Sequence, residues 1–219
     1  MKPRLLALGD SALLIRLGDE IDPALNRRVH ALDLRLRAKA LPGVIETVPA
    51  YSSIVVHYDP LVLTHARVAE WAEAEIPGAE LTASAKPRRI EVPVQYGGEG
   101  GPDLRFVAAH HGTTPGDVVS IHADTEYIVY MMGFTPGFPY MGKVAAAIAT
   151  PRLETPRTQV PAGSVGIAGE QTGIYPIESP GGWRLIGRTS LPLLDLQKNP
   201  PFLFAPGDSV RFVVESVDA

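Results

Sequence analysis

The sequence predicts an α+β N-terminal domain, ferredoxin-like with a split βαβ, and after it a mainly-β barrel or sandwich. Three observations carry that reading. Two amphipathic helical repeats alternate with strand patterns over the first 80 or so residues. Helical periodicity then ends near His122. Beyond it, short apolar runs bounded by Gly or Pro recur as far as residue 215.

In chain order, "RLLALGDSALLIRLG" reads as a hairpin turning at Gly9-Asp10. Asp22-Pro23 opens a helix, the Asp as N-cap and the Pro at the first helical position. Leu25, Val29, Leu32 and Leu36 form its apolar stripe, and Pro42-Gly43 closes it. "VIETVPAY" and "SSIVVHYD" follow as strands, and Val68, Trp71, Ala72 and Ile76 mark a second helix. The polar run "TASAKPRR" lacks any period and separates a small α+β domain at 1–82, through a linker at 83–89, from a second domain at 90–219. That domain opens on Ile90, Val92, Val94 and Tyr96 in strict alternation, a strand with one buried face. Asp103 caps a short helix that Gly112 ends, and Thr114-Pro115 starts another. Strands are expected at 126–132, 164–168, 172–176, 183–187 and 209–215.

Composition removes several function classes. At 219 residues the chain buries roughly 70% of its unfolded surface and needs no staples. Twenty basic against 24 acidic residues give a net charge of −4, which argues against a nucleic-acid partner. With no cysteine, disulfides, thiolate catalysis and zinc–sulfur sites are excluded. No apolar run approaches the ~18 residues of a membrane span, and no signal-like segment follows Met1, so a soluble cytoplasmic protein is expected.

The chemistry-bearing region is 133–190, where 17 of 58 residues are Gly or Pro. Phe134, Phe138, Tyr140, Tyr175 and Trp183 are interleaved with them, so the region reads as ordered and loop-rich rather than disordered. "GFTPGFPYMGK" contains the spelling of a phosphate-binding P-loop from Gly137 to Lys143. Pro139 has no N–H to offer, the interior positions are bulky, and Val144 stands where Mg²⁺ would need Ser or Thr. The spelling is chance. His110-His111 reads as a surface or capping pair, and His122 with Asp124 makes no metal site, so no metal is expected. There is no nucleophile elbow and no HExxH motif. Lys143, Arg152, Arg157, Arg184 and Arg188 outweigh three Glu in this region, enough to hold one small anion. On residues alone the chain is a small-molecule or protein-binding β domain.

"GFTPGFPYMG", "TPRTQVPAGSVGIAGEQTGIYPIESPGGWRLIGRT" and "PAYSSIVVHYDP" resemble one family over nearly the whole chain. It is the family of B-type 5-oxoprolinase subunits, also called allophanate hydrolase subunit 1, with the kinase inhibitor KipI. The resemblance implies that the second domain is a cyclophilin-like β-barrel. It implies a non-autonomous component of an ATP-dependent lactam hydrolase that converts 5-oxoproline to glutamate. ATP with Mg²⁺ would act in the complex, phosphorylating the amide oxygen. The partners would be the homologous C-type and the A-type subunits of that enzyme. The alternatives it carries are a carboxyltransferase role in urea carboxylase and inhibition of a histidine kinase. Members commonly carry Gly-Gly-Leu/Met-Asp-Pro-Arg where this chain has Gly142-Lys143-Val144-Ala145-Ala146-Ala147-Ile148.

Within the matched motifs, Arg157 and Arg188 are candidates to grip carboxylate or phosphate with their guanidinium forks. Gln159 and Gln171 would bond the lactam amide, and His122 would serve as general base. Phe138 and Tyr140 are expected to face the Gly181-Gly182-Trp183 loop across one cleft, with Tyr175 in its wall. Gly163, Gly169, Gly181 and Gly182 would let backbone approach the ligand.

Overall fold

Residues 2–80 and 88–218 are described by the computed structural model. They fall in two units, Met1–Lys86 and Pro87–Ala219. The expected linker at 83–89 lies outside the described residues except for Arg88 and Arg89, and Arg89 already opens a strand.

In the first unit β1 (Arg4–Ala7) and β2 (Ala12–Arg16) form the hairpin at Gly9-Asp10. Helix α1 (Pro23–Ala38) begins where the sequence asks, the Asp22 carboxylate accepting the Leu25 N–H at 2.8 Å. It ends at Ala38, short of Pro42-Gly43. Strands β3 (Val44–Pro49) and β4 (Ser53–Tyr58) and helix α2 (His65–Glu75) complete the unit, followed by a 3-10 turn at Pro77–Glu80. The sheet order is β1-β2-β4-β3 with every neighbour antiparallel. β2 and β3 are therefore parallel with β4 between them, and α1 joins them as a split βαβ. Moving β1 to the end of the chain would give the ferredoxin-like βαββαβ order. Val29, Leu32 and Leu36 from α1 pack on Leu13, Ile15, Ile54 and Val56 of the sheet in one apolar core.

The second unit runs β5 (Arg89–Gly97), α3 (Leu104–His110), α4 (Pro115–Asp124), β6 (Glu126–Met132), β7 (Pro139–Gly142), β8 (Arg157–Val160), β9 (Ser164–Ala168), β10 (Gln171–Ile174), β11 (Ser179–Gly181), β12 (Arg184–Arg188) and β13 (Ser209–Asp218). Seven of these close a barrel in the order β10-β7-β6-β13-β5-β12-β9, and β8 with β11 forms a separate ribbon. Closure rests on β13 lying parallel to β5, the last strand beside the first. The alternating Val92, Val94 and Tyr96 point inward, as expected, and join Val129, Val165, Ile186 and Phe212 in the barrel core. A second cluster gathers Phe138, Val160, Tyr175, Trp183 and Leu185 from barrel strands, loops and ribbon. Residues 139–142 of the P-loop spelling fold as β7, an extended strand laddered to β6 and β10 on its two sides and not a phosphate-cradling loop. Among the described residues no helix is long and apolar enough to cross a membrane.

Candidate functional site

The second cluster opens to solvent as a cleft. Phe138 is its hub, 1% exposed, with ring centroids of Tyr140, Tyr175 and Trp183 at 4.9, 5.2 and 5.3 Å, all edge to face. The turn before β7 folds on itself: Gly133 N–H donates to Phe138 O at 3.1 Å, and Phe138 N–H to Thr135 O at 3.1 Å. That turn holds Phe134 at φ 64°, a left-handed conformation uncommon for an aromatic residue. Its ring, 60% exposed, stands edge-on to Phe138 and Tyr175 at the rim. Gly181 permits the opposite wall, since a Cβ there would lie 2.3 Å from the Tyr175 hydroxyl.

Phe138, Tyr140, Tyr175, Gly181, Gly182 and Trp183 thus surround one cavity of about 300 Å³, joined by Phe134 and Arg152. The loop before β7 and the Gly181-Gly182-Trp183 loop both line it. Burial raises the pKa of Tyr140 and Tyr175, and the positive charge of Arg152 offsets part of the rise for both phenols. A backbone hydrogen bond with Trp183 offsets a further part for Tyr175. Both remain phenols at neutral pH.

The other expected residues are distributed elsewhere. Arg157 is committed: its Nη2 donates to Asp103 Oδ1 at 2.9 Å and its Nη1 to Trp183 O at 3.5 Å. Asp103, which was to cap α3, makes no side-chain cap and instead accepts the Leu185 N–H at 2.7 Å through Oδ2. Arg157 therefore braces the wall of the cleft and does not line its cavity. Arg188 and Gly163 line a different groove of about 500 Å³ with Gln95, Pro176, Thr189 and Leu191. Arg188 Nε donates to Ala162 O at 2.9 Å. Gly163, at φ 82°, is required by backbone crossing, because a Cβ would sit 2.1 Å from Thr189 O. Gly169 stands in the β9–β10 turn with open space around it, Gln171 is half-buried opposite Gly142, and Gln159 is exposed on the ribbon. None of these three lines either cavity.

His122 departs furthest from its expected role. It is wholly buried in the barrel core, with Nδ1 2.8 Å from Tyr96 Oη and Nε2 3.0 Å from Thr172 Oγ1. The Thr172 hydroxyl donates onward to Gly166 O at 3.0 Å, so it must accept from Nε2–H, and Nδ1 must accept from Tyr96. Desolvation lowers its pKa to about 3. A neutral histidine with no exposed atom and both nitrogens bonded is structural and cannot reach a substrate proton.

Sequence reasoning missed Arg152 as a site residue. Its guanidinium lies over Trp183, 5.8 Å from the ring centroid. Positive charge alone did not single it out among five basic residues, and the aromatic neighbour lies far along the chain. Among the described residues no group of three or more His, Asp or Glu is placed to hold a metal.

Residues 3–204 match the family model described as carboxyltransferase domain, subdomain C and D. The chain is 46% identical over 216 residues to the B-type 5-oxoprolinase subunit of Bacillus subtilis strain 168, covering 94% of this chain and 90% of that protein. It is 43% identical over 217 residues to the B-type 5-oxoprolinase subunit of Escherichia coli O157:H7, covering 97% and 96% respectively. Among solved structures it is similar to a conserved uncharacterized protein from Pyrococcus horikoshii, with TM-score 0.58 and 48% identity over 97% of this chain and 98% of that one. With the fold and full-length similarity agreeing, the chain belongs to the carboxyltransferase subdomain C and D family, among the B-type 5-oxoprolinase subunits.

Proposed function

We propose that this chain is the B-type component of an ATP-dependent 5-oxoprolinase, which opens the 5-oxoproline lactam to glutamate and turns over only with partner subunits. Similarity over nearly the full length to two proteins named as B-type 5-oxoprolinase subunits supports the reaction. The aromatic cleft is the observation that carries the division of labour. Its lining offers flat apolar faces, two phenols held protonated and one guanidinium. Such a surface binds and orients a small ring, but among the described residues holds no nucleophile and no group that accepts a proton near neutrality.

ATP with Mg²⁺ does not fit this cleft. A metal-bound triphosphate needs several cations and carboxylate oxygens, and among the described residues one Arg with no carboxylate lines the cavity. No nucleotide step is therefore assigned to this chain; the energy-coupled chemistry lies with the partners, the homologous C-type and the A-type subunits. Phe134 supports a shared site, since a strained and exposed aromatic at the rim of a cleft is costly to leave in water and is a natural interface anchor.

The test is 5-oxoproline-dependent ATP cleavage by the purified chain, and again with the A-type and C-type partners added. Turnover is expected only in the mixture; full turnover by the isolated chain would overturn the shared-site reading. The family model's description favours one second reading, a carboxyltransferase component. Carboxyl transfer on adding a biotin-dependent carboxylase, with no oxoprolinase activity in the mixture, would establish it instead.

A further inference from the structure

We infer that Arg152 is the anion-binding group of the aromatic cleft, and that the ligand class is a small planar ring carrying a single carboxylate. Naming that ring as 5-oxoproline rests on the oxoprolinase reading; the site itself rests on geometry.

Among the described residues, Arg152 is the one charged side chain lining the cavity. Of the other arginines, Arg157 pairs with Asp103, Arg184 lies against Pro151 O at 3.3 Å and the Phe106 ring at 3.7 Å, and Arg188 lines the other groove. Among the described residues the Arg152 guanidinium has no carboxylate or carbonyl partner, and its contact is the Trp183 face. Its guanidinium lies over Trp183 within the cavity lining, and its charge acts on both cavity phenols, Tyr140 and Tyr175. A cation held against an indole, with no salt-bridged carboxylate among the described residues, is arranged for a bidentate carboxylate. One positive charge suits a monoanion and is too little for a polyphosphate. The surrounding rings of Phe138, Tyr140 and Trp183 offer edges and faces to a flat five- or six-membered ring.

The measurement is Trp183 fluorescence of the full chain in a Trp71→Phe background, which removes the other tryptophan. The ligands are 5-oxoproline, 2-pyrrolidinone (the same lactam without its carboxylate) and benzoate. We expect a saturable response to 5-oxoproline, weakened roughly ten- to a hundredfold by Arg152→Ala, as for loss of a charge-assisted hydrogen bond. Arg152→Lys should recover part of the affinity, and 2-pyrrolidinone should bind the Arg152→Ala and parent chains equally weakly. Arg152 is exposed, so an unchanged melting temperature is expected for each variant and confirms that folding is intact. Equal binding of 5-oxoproline by Arg152→Ala, equal affinity for 2-pyrrolidinone and 5-oxoproline, or no saturable response to any carboxylate would overturn the site. Arg152-dependent binding of benzoate with none of 5-oxoproline would sustain the anion site and count against the oxoprolinase reading. Turnover of the assembled complex that Arg152→Ala leaves unchanged would do the reverse.

Discussion

His122 shows how far a residue's chemistry depends on what surrounds it. The relay from Tyr96 through His122 and Thr172 to Gly166 O satisfies each polar group inside the barrel only while the imidazole is neutral. Its pKa falls from 6.5 to about 3 on folding, so between those values the unfolded chain binds a proton that the native chain refuses. The stability it contributes is fully present above pH 6.5 and is lost as pH falls toward 3, with a slope of up to about 1.4 kcal/mol per pH unit. Urea midpoints measured from pH 4 to 7 should therefore fall more steeply on acidification in the parent than in His122→Gln. The variant should also lose about 1–3 kcal/mol at neutral pH through the broken relay. Parallel profiles would refute the assignment. At Gly181 the added methyl of Gly181→Ala must displace the Tyr175 hydroxyl, so binding in the cleft should weaken about tenfold or more while the barrel core stays intact. Titration of the cleft alongside thermal melting separates the two effects.

Between elements, the Asp103 carboxylate joins α3, β8 and β12, accepting from Arg157 on one oxygen and from Leu185 N–H on the other. Asp103 is buried and Arg157 largely so. Arg157→Leu should therefore leave a buried carboxylate with one donor and cost about 1–3 kcal/mol, read as a lower denaturant midpoint at unchanged m-value. An unaltered midpoint would show that the brace is dispensable. The helices of this chain were legible because their start signals are local: Asp22-Pro23 and Thr114-Pro115 both form side-chain caps, the latter a full capping box. Strands β7, β8 and β11 were not legible. Each is three or four residues long, β7 and β11 contain proline, and such segments read as loop until a partner strand is found for them.

For the molecule as a whole, barrel closure depends on the parallel pairing of β5 with β13, from Ser209 beside Arg89 to Asp218 beside Gly97. Arg88 fastens one end of this seam, its guanidinium donating to both carboxylate oxygens of Asp208, 120 positions away, and to Leu203 O. That bond holds the Arg88 pKa above its ordinary value. Asp208 also accepts the Ala205 N–H at 2.7 Å and is 5% exposed in its side chain. Asp208→Ala should lower stability by about 2–4 kcal/mol and slow refolding, because a non-local parallel pair loses its fastening. Stopped-flow refolding with equilibrium unfolding checks both, and an unchanged refolding rate would place the seam's formation after the rate-limiting step.

The sequence by itself determined the α+β layer, both helices in each half, every barrel strand except β7, the absence of cysteine chemistry and the aromatic membership of the cleft. These follow from periodicity, caps and turn residues, all of which act over a few positions. Tertiary structure alone decided which arginine faces the cleft. Arg157 was the better candidate by motif, yet it lies against Asp103, 54 positions away, whereas Arg152 lies over Trp183 in the lining of the cleft. His122 likewise lies among Tyr96, Tyr127 and Phe212 inside the barrel and not at its loops. A charge or a proton takes its role from the dipoles and apolar surface within a few ångströms, and those neighbours are brought together only when distant strands pair.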